Sequence, residues 1–208
     1  LAWAEYWRWA DDDTVVAIYY TEKGTPSGYL VYLIRSDVMY IKEMIYLNRE
    51  AHNGLWQYIH AHDSMIDEVR GNAYFNEPVA FDMADGDIKE TIRPYIMGRI
   101  IDLKMFLKDY RCDPQEQNVC IAFEITDPVL DWNQGTFSIL FHEGRCRLTD
   151  RPAEYRVSMS IGTLTTLFLG YKTAASLYRR ERIQGSEGAV QRLDDVLLHE
   201  TPYISDYI

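Results

Sequence analysis

The sequence predicts an α+β protein built as two successive units. Three observations carry this. Short β-branched and aromatic runs alternate with Gly, Pro and Asp turns. The first half places one amphipathic helix between strands. The second half runs through its strands first and its helices last, the order of an antiparallel sheet with helices on one side. The character of the chain changes near Gly98, so the units are placed at residues 1–98 and 99–208. No Gly- or Ser-rich linker separates them, and a tight contact is expected. At 208 residues, 47% hydrophobic and 25% charged, the composition is that of an ordinary globular chain.

The elements follow in order. In "LAWAEYWRWA", Trp3 and Trp7 stand at i and i+4 with Tyr6 beside them, the spacing of an aromatic helix face. "TVVAIYY" and "GYLVYLI", joined by "TEKGTPS" with its Gly24 and Pro26, read as a β-hairpin. "VMYIKEMIYL" adds a third antiparallel strand. "REAHNGLWQYIHAH" reads as a helix with Asn48 as N-cap and Leu55 and Ile59 on its buried stripe. "MIDEVRG" is a short strand, and "DIKETIRPYIMGRII" an extended stretch whose Pro94 points to an edge or bulge. In the second unit "DLKMFLKDY" is a short helix capped by Asp102. "NVCIAFEITD", "GTFSILFHEG", "RCRLTD" and "YRVSMSI" are strands. "TLTTLFLG", "AASLYRRE" and "AVQRLDDVLLH" are helices.

Several function classes are disfavoured. A net charge of −11 repels nucleic acid and anionic membranes and favours cationic ligands. No apolar stretch is long enough to cross a bilayer. No cationic segment followed by an apolar one opens the chain, and the expected location is cytoplasmic. The chain opens at Leu1 without methionine, as a fragment or a processed chain would. Cys112, Cys120 and Cys146 form no C-x-x-C pair and fit reduced thiols. His60 and His62 in "HAHDS" are two apart, so a helix would point them to different faces, and no metal is expected. No G-x-S-x-G elbow or Cys–His signature occurs.

The strand–helix junction "IKEMIYLNREAHNGLW" has the topology of a pyrophosphate site without its chemistry. Such sites use glycines and free N–H groups at a helix start. Here Glu50 occupies the first turn, where it satisfies the helix dipole and repels phosphate, and Gly54 stands alone.

Nearly the whole chain resembles a known family. "GYLVYLI…IKEMIYLN…AHNGLWQYIHAHDSMI" resembles the central GNAT-like domain of the "enhanced intracellular survival" acetyltransferases. "GRIIDLKMFLKDY", "ILFHEGRCRLTD", "IGTLTTLFLGYKTAASL" and "LDDVLLHETPYISDYI" resemble their C-terminal sterol-carrier-protein-like domain. The resemblance implies a degenerate GNAT-like domain at 1–98, truncated at its N-terminus, followed by the carrier-like domain at 99–208 with a catalytic tail. It implies acetyl-CoA as co-substrate, bound by an N-terminal acetyltransferase domain that this chain lacks. No Gln/Arg-x-x-Gly-x-Gly/Ala loop occurs here to bind it. The implied substrates are amines, as aminoglycoside-type small molecules or lysine side chains, and the implied assembly is a hexamer. The carboxylate of the last residue, Ile208, is implied as general base on the amine. Asp206 and Tyr207 then stand beside the substrate. The family's best-known members end in Phe rather than Ile.

The tail's own chemistry agrees with that role. An ammonium must lose a proton before it attacks a thioester. A free α-carboxyl, with a pKa of roughly 3.3–3.7, is a weak base until burial raises it. Ile204, Tyr207 and Ile208 offer the apolar surround, and Glu200 and Asp206 the attraction for a cation. Two other classes stay open at this point: a carrier-like module for an apolar ligand, and a structural assembly segment. A carrier requires an open cavity within 99–208. The enzyme requires Ile208 to point out of that domain.

Overall fold

A computed structural model of the chain describes residues 13–73, 77, 79–83, 88–92, 96–115 and 118–202. The expected aromatic helix of Trp3 and Trp7 lies outside these residues. The chain divides between residues 93 and 94 into two compact units.

The first unit is a four-stranded sheet in the order β1 (Val15–Tyr20), β2 (Pro26–Arg35), β3 (Val38–Tyr46), β4 (Glu68–Gly71). The hairpins β1–β2 and β2–β3 are antiparallel. The pair β3–β4 is parallel, so the chain must cross over between the two strands. Helix α1 (Arg49–His60) makes that crossing. Ala51, Leu55 and Ile59, four apart, are its buried stripe, and Leu55 and Ile59 pack with Leu30, Tyr32 and Met39 of the sheet. Each large side chain so buried contributes about 1.5–3 kcal/mol. Gly28 lets the helix come close: a Cβ there would meet Ala51 Cβ and the Ile45 carbonyl at 3.1 Å. A bulge sets Ile41 opposite Tyr32 and Glu43 opposite Val31 with Lys42 between them, and Lys42 Nζ reaches Thr14 Oγ1 at 3.1 Å. A single turn, α2 (Val79–Asp82), follows β4. The described residues between 88 and 100 form no strand. The Ile100 N–H donates to Thr165 Oγ1 at 3.1 Å.

The second unit opens with α3 (Leu103–Asp109), capped by Asp102. Its sheet has the order β7 (Arg145–Leu148), β6 (Gly135–His142), β5 (Val119–Thr126), β8 (Tyr155–Ser160), β9 (Gln184–Gly185). The sheet is mixed where the sequence suggested antiparallel pairing throughout: β5 and β8 run parallel, Ile121 opposite Tyr155 to Thr126 opposite Ser160. The reason lies in residues 149–154, which carry the chain from β7 across β6 and β5 instead of turning back as a hairpin. The Thr149 N–H donates to the Ser138 carbonyl at 3.0 Å and that of Glu154 to the Cys120 carbonyl at 3.1 Å. Helices α4 (Ile161–Phe168), α5 (Ala174–Tyr178) and α6 (Glu187–Val196) close the unit, each started by a hydroxyl cap: Ser160, Thr173 and Ser186.

Alternate residues of β5, namely Val119, Ile121, Phe123 and Ile125, point into one core with Leu103, Leu107, Leu164, Phe168 and Leu193. The Phe123 ring lies 5.9 Å from Phe168 and 6.4 Å from Phe141. Sheet and helices thus meet through interlocked large side chains.

Candidate functional site

Two regions of the sequence pointed to function: the strand–helix junction after β3 and the C-terminal tail. At the junction, Asn48 adopts an extended backbone and its side chain accepts the Ala51 N–H at 2.8 Å. The helix start is therefore served by its own cap. Glu50, one residue into the helix, accepts the Tyr19 hydroxyl at 2.9 Å. That bond to a carboxylate raises the Tyr19 pKa above its usual value. Gly54 is not a phosphate-loop glycine. A Cβ there would lie 2.1 Å from the Tyr19 ring, so its bare backbone makes room for that ring against the helix.

Beyond the carboxyl ends of parallel strands lies the crevice where open α/β sheets often bind ligands. The crevice past β3 is filled by its own side chains. The Trp56 indole N–H donates to His52 Nε2 at 3.1 Å, which leaves the ring proton on Nδ1, facing Asn53 Oδ1 at 3.3 Å. The Tyr46 ring packs edge-on to His52 at 4.7 Å between centroids, and its hydroxyl donates to Glu77 at 3.3 Å. These groups, with Met44, Val79 and Met83, leave a cavity of about 10 Å³. An open depression of about 270 Å³ flanks it, lined by Tyr46, Leu47, Asn48, Arg49 and His52. The Ala51 N–H at the helix start meets the Asn48 cap, the first turn carries the Glu50 carboxylate, and the crevice beside the depression is filled by side chains.

The residues assigned to the tail's chemistry, Asp206, Tyr207 and Ile208, lie outside the described residues, as do Tyr203 and Ile204. The path toward them is defined as far as Pro202. Val196 and Leu197 are buried in the second core. His199 Nε2 contacts the Asp194 carbonyl, in the last turn of α6, at 3.0 Å. Asp194 also caps α5, accepting the Ala174 and Ala175 N–H groups. Glu200 then passes over Gly170, at the end of α4.

The histidines of "HAHDS" do not converge. His60 is exposed on α1. His62 lies past the helix, with Nδ1 2.8 Å from the Tyr58 carbonyl and its ring against Tyr32 and Tyr58. Among the described residues no group of three His, Cys, Asp or Glu is placed to hold a metal ion. Nor is any described helix long and apolar enough to cross a membrane.

Comparison with known proteins matches one family model to each half of the chain. Residues 1–100 match the family model of the acetyltransferase (GNAT) domain, and residues 103–205 match that of the sterol carrier protein domain. The chain joins a GNAT-type domain to a sterol-carrier-type domain. The sequence reading assigned the coenzyme-binding domain to a region beyond this chain, whereas the match puts an acetyltransferase-type domain at residues 1–100.

A solved structure from Enterococcus faecalis, described as a conserved protein of unknown function and probable N-acyltransferase, is similar over 100% of this chain and 54% of its own. It shares 29% identity with a TM-score of 0.88. A GCN5-related N-acetyltransferase from Anabaena variabilis matches over 95% of this chain and 52% of its own, at 21% identity and a TM-score of 0.72. Eis1 from Mycobacterium abscessus matches over 99% and 54%, at 16% and 0.69. The last two likenesses speak for the fold. The chain spans about half the length of these proteins. No curated protein matches it.

Sequence reasoning missed the plug of Tyr46, His52, Trp56 and Glu77, whose members come from a strand, a helix and a loop. The i, i+4 spacing of His52 and Trp56 was the one local signal for it.

Proposed function

We propose that this chain is the central and C-terminal portion of an acetyl-CoA-dependent amine N-acetyltransferase of the enhanced intracellular survival type. The observation that carries the reading is the likeness of the entire chain, at 29% identity, to a probable N-acyltransferase of about twice its length. In this reading residues 1–98 are a degenerate GNAT-like domain and residues 99–208 a carrier-like domain with a working tail. The plugged crevice past β3 supports assigning acetyl-CoA to a further domain of the same protein. The interlocked core of the second unit supports a role other than lipid carriage. Aminoglycoside-type amines or lysine side chains are the substrates, and a hexamer is the assembly that the family resemblance suggests.

The chemistry assigned to this chain is proton removal. The carboxylate of Ile208 takes a proton from the substrate ammonium. The freed nitrogen lone pair forms the new C–N bond as the thioester C–S bond breaks, the departing thiolate receives a proton from an acid on the coenzyme-binding domain, and the acylated nitrogen releases its second proton, which restores that acid. Asp206 and Tyr207 flank the amine.

The test is a one-glycine extension after Ile208 in the full-length enzyme, which turns the carboxylate into an amide while keeping the apolar anchor. General-base catalysis is worth about 10²–10⁴-fold, so kcat falls at least about tenfold. The Tm stays within a few degrees, since a terminal side chain contributes little to a core. Turnover at the wild-type rate would overturn the assignment. A C-terminal peptide of the natural protein that continues past Ile208 would do the same.

A further inference from the structure

Gly170 ends α4 with φ at +71°, its N–H donating to the Leu167 carbonyl at 3.0 Å. A Cβ on this residue would lie 2.0 Å from the Glu200 carbonyl oxygen and 3.1 Å from its carbon. The obstacle is backbone, not the mobile end of a side chain. The last described stretch of the chain therefore runs in direct contact with a bare Cα.

Neither side of this crossing is free to give way. The end of α4 is tied down by Thr165, whose hydroxyl donates to the Ile161 carbonyl at 2.8 Å and accepts the Ile100 N–H at 3.1 Å. On another side Gly98 comes so close that its own Cβ would stand 2.9 Å from Leu169 Cδ1. The tail is fixed three residues upstream, where Leu197 is buried, and again by the contact of His199 with the Asp194 carbonyl. Displacement at Glu200 must then pass downstream. Eight residues follow Glu200, with Ile208 the last, a reach of at most about 28 Å.

We infer that Gly170 is the seat of the chain at Glu200, a positioning residue that fixes the point from which the last eight residues continue. Its kinetic consequence rests on the terminal-carboxylate reading above. A base misplaced by about 1 Å can cost on the order of 10²-fold in rate.

The experiment is Gly170→Ala in the full-length enzyme, beside Gly24→Ala as control. Gly24 has a φ of +75° with nothing within 4 Å of its Cβ position, so the control carries the same backbone strain without an obstruction. Limited chymotrypsin cleavage after Tyr203 reads the seating directly. Cleavage follows the population of the open segment, and Gly170→Ala should raise its rate at least about tenfold while Gly24→Ala leaves it unchanged. In the same variant kcat falls at least about tenfold with the KM for acetyl-CoA unchanged. Cleavage of Gly170→Ala at the wild-type rate overturns the inference, whatever its activity. If cleavage accelerates but the glycine extension of Ile208 leaves turnover intact, the seat stands and the base assignment falls.

Discussion

Asp127 is fully buried, yet four donors converge on it: Arg99 Nη2 at 2.6 Å, Asn133 Nδ2 at 3.0 Å, and the N–H groups of Val129 and Leu130 at 3.0 and 3.2 Å. Burial is the strongest single influence on its pKa and raises it. The bonds from Asn133, Val129, Arg99 and Leu130 together outweigh burial and hold the carboxyl well below the usual range. Asn133 extends the knot, accepting the Leu103 N–H and donating to the Ile101 carbonyl, both at 3.0 Å. A depressed pKa adds stability that is complete above the unfolded value of about 3.9 and is lost as pH falls below it toward the folded value. Asp127→Ala leaves Arg99 and two backbone donors without their acceptor. Its Tm at neutral pH should drop by at least about 5 °C, and the difference from wild type should shrink as pH falls below about 4. Thermal melts between pH 2.5 and 7 check this, and a constant difference would remove the charge from the account. Nothing in the sequence set Asp127 apart, because its side-chain partners stand 28 and 6 residues away and any acid before a Pro in a turn reads alike.

At the scale of elements, α1 shows what local patterning gives and where it ends. Its span, its Asn48 cap and its Leu55–Ile59 stripe follow from spacing alone. The same holds for Asp102 on α3 and for most strands of the second unit. The two parallel pairings were not legible, since they depend on how the chain crosses between strands rather than on residues within them. The role of Gly54 was hidden for the same reason, as it is set by Tyr19 on a strand 35 residues away. Gly→Ala inside a helix ordinarily stabilises by roughly 0.8–1.0 kcal/mol. Gly54→Ala should instead lower stability, because the new methyl evicts the Tyr19 ring and breaks its bond to Glu50. In a Tyr19→Ala background the same change should regain the ordinary helical benefit. A double-mutant cycle by urea denaturation measures the coupling, and additive effects would show that the ring moves aside without cost.

For the molecule as a whole, the plugged crevice and the solid second core make separate claims about ligands. The 208-residue chain should give no binding heat with acetyl-CoA at micromolar concentrations. Calorimetry that finds a micromolar Kd would place a working coenzyme site within residues 1–100 and return the enzyme reading to this chain alone. Native mass spectrometry should likewise find no stoichiometric lipid adduct, because Phe123, Phe141 and Phe168 occupy the space between sheet and helices. A retained lipid would favour the carrier-like module. The tail residues singled out from sequence sit beyond Pro202, so this part of the reading rests on the resemblance and on the chemistry of a terminal carboxylate.

The crossing segment 149–154 has a consequence for the thiols. Cys120 lies beneath it on one face of the sheet, its Sγ 3.7 Å from the Arg151 carbonyl. Cys112 and Cys146 sit in the core on the opposite face. Burial raises all three thiols, Cys146 to about 12, so each is inert while covered. The covers differ in kind: a six-residue strap over Cys120, the packed core over the other two, with Cys146 Sγ 3.6 Å from the Leu107 carbonyl. The cysteines thus form a built-in pair of clocks. Alkylation of Cys120 should time the lifting of the strap and change little with low denaturant. Modification of Cys112 and Cys146 should slow or quicken with the stability of the unit itself. Equal rates at all three would mean that the strap opens only when the domain does.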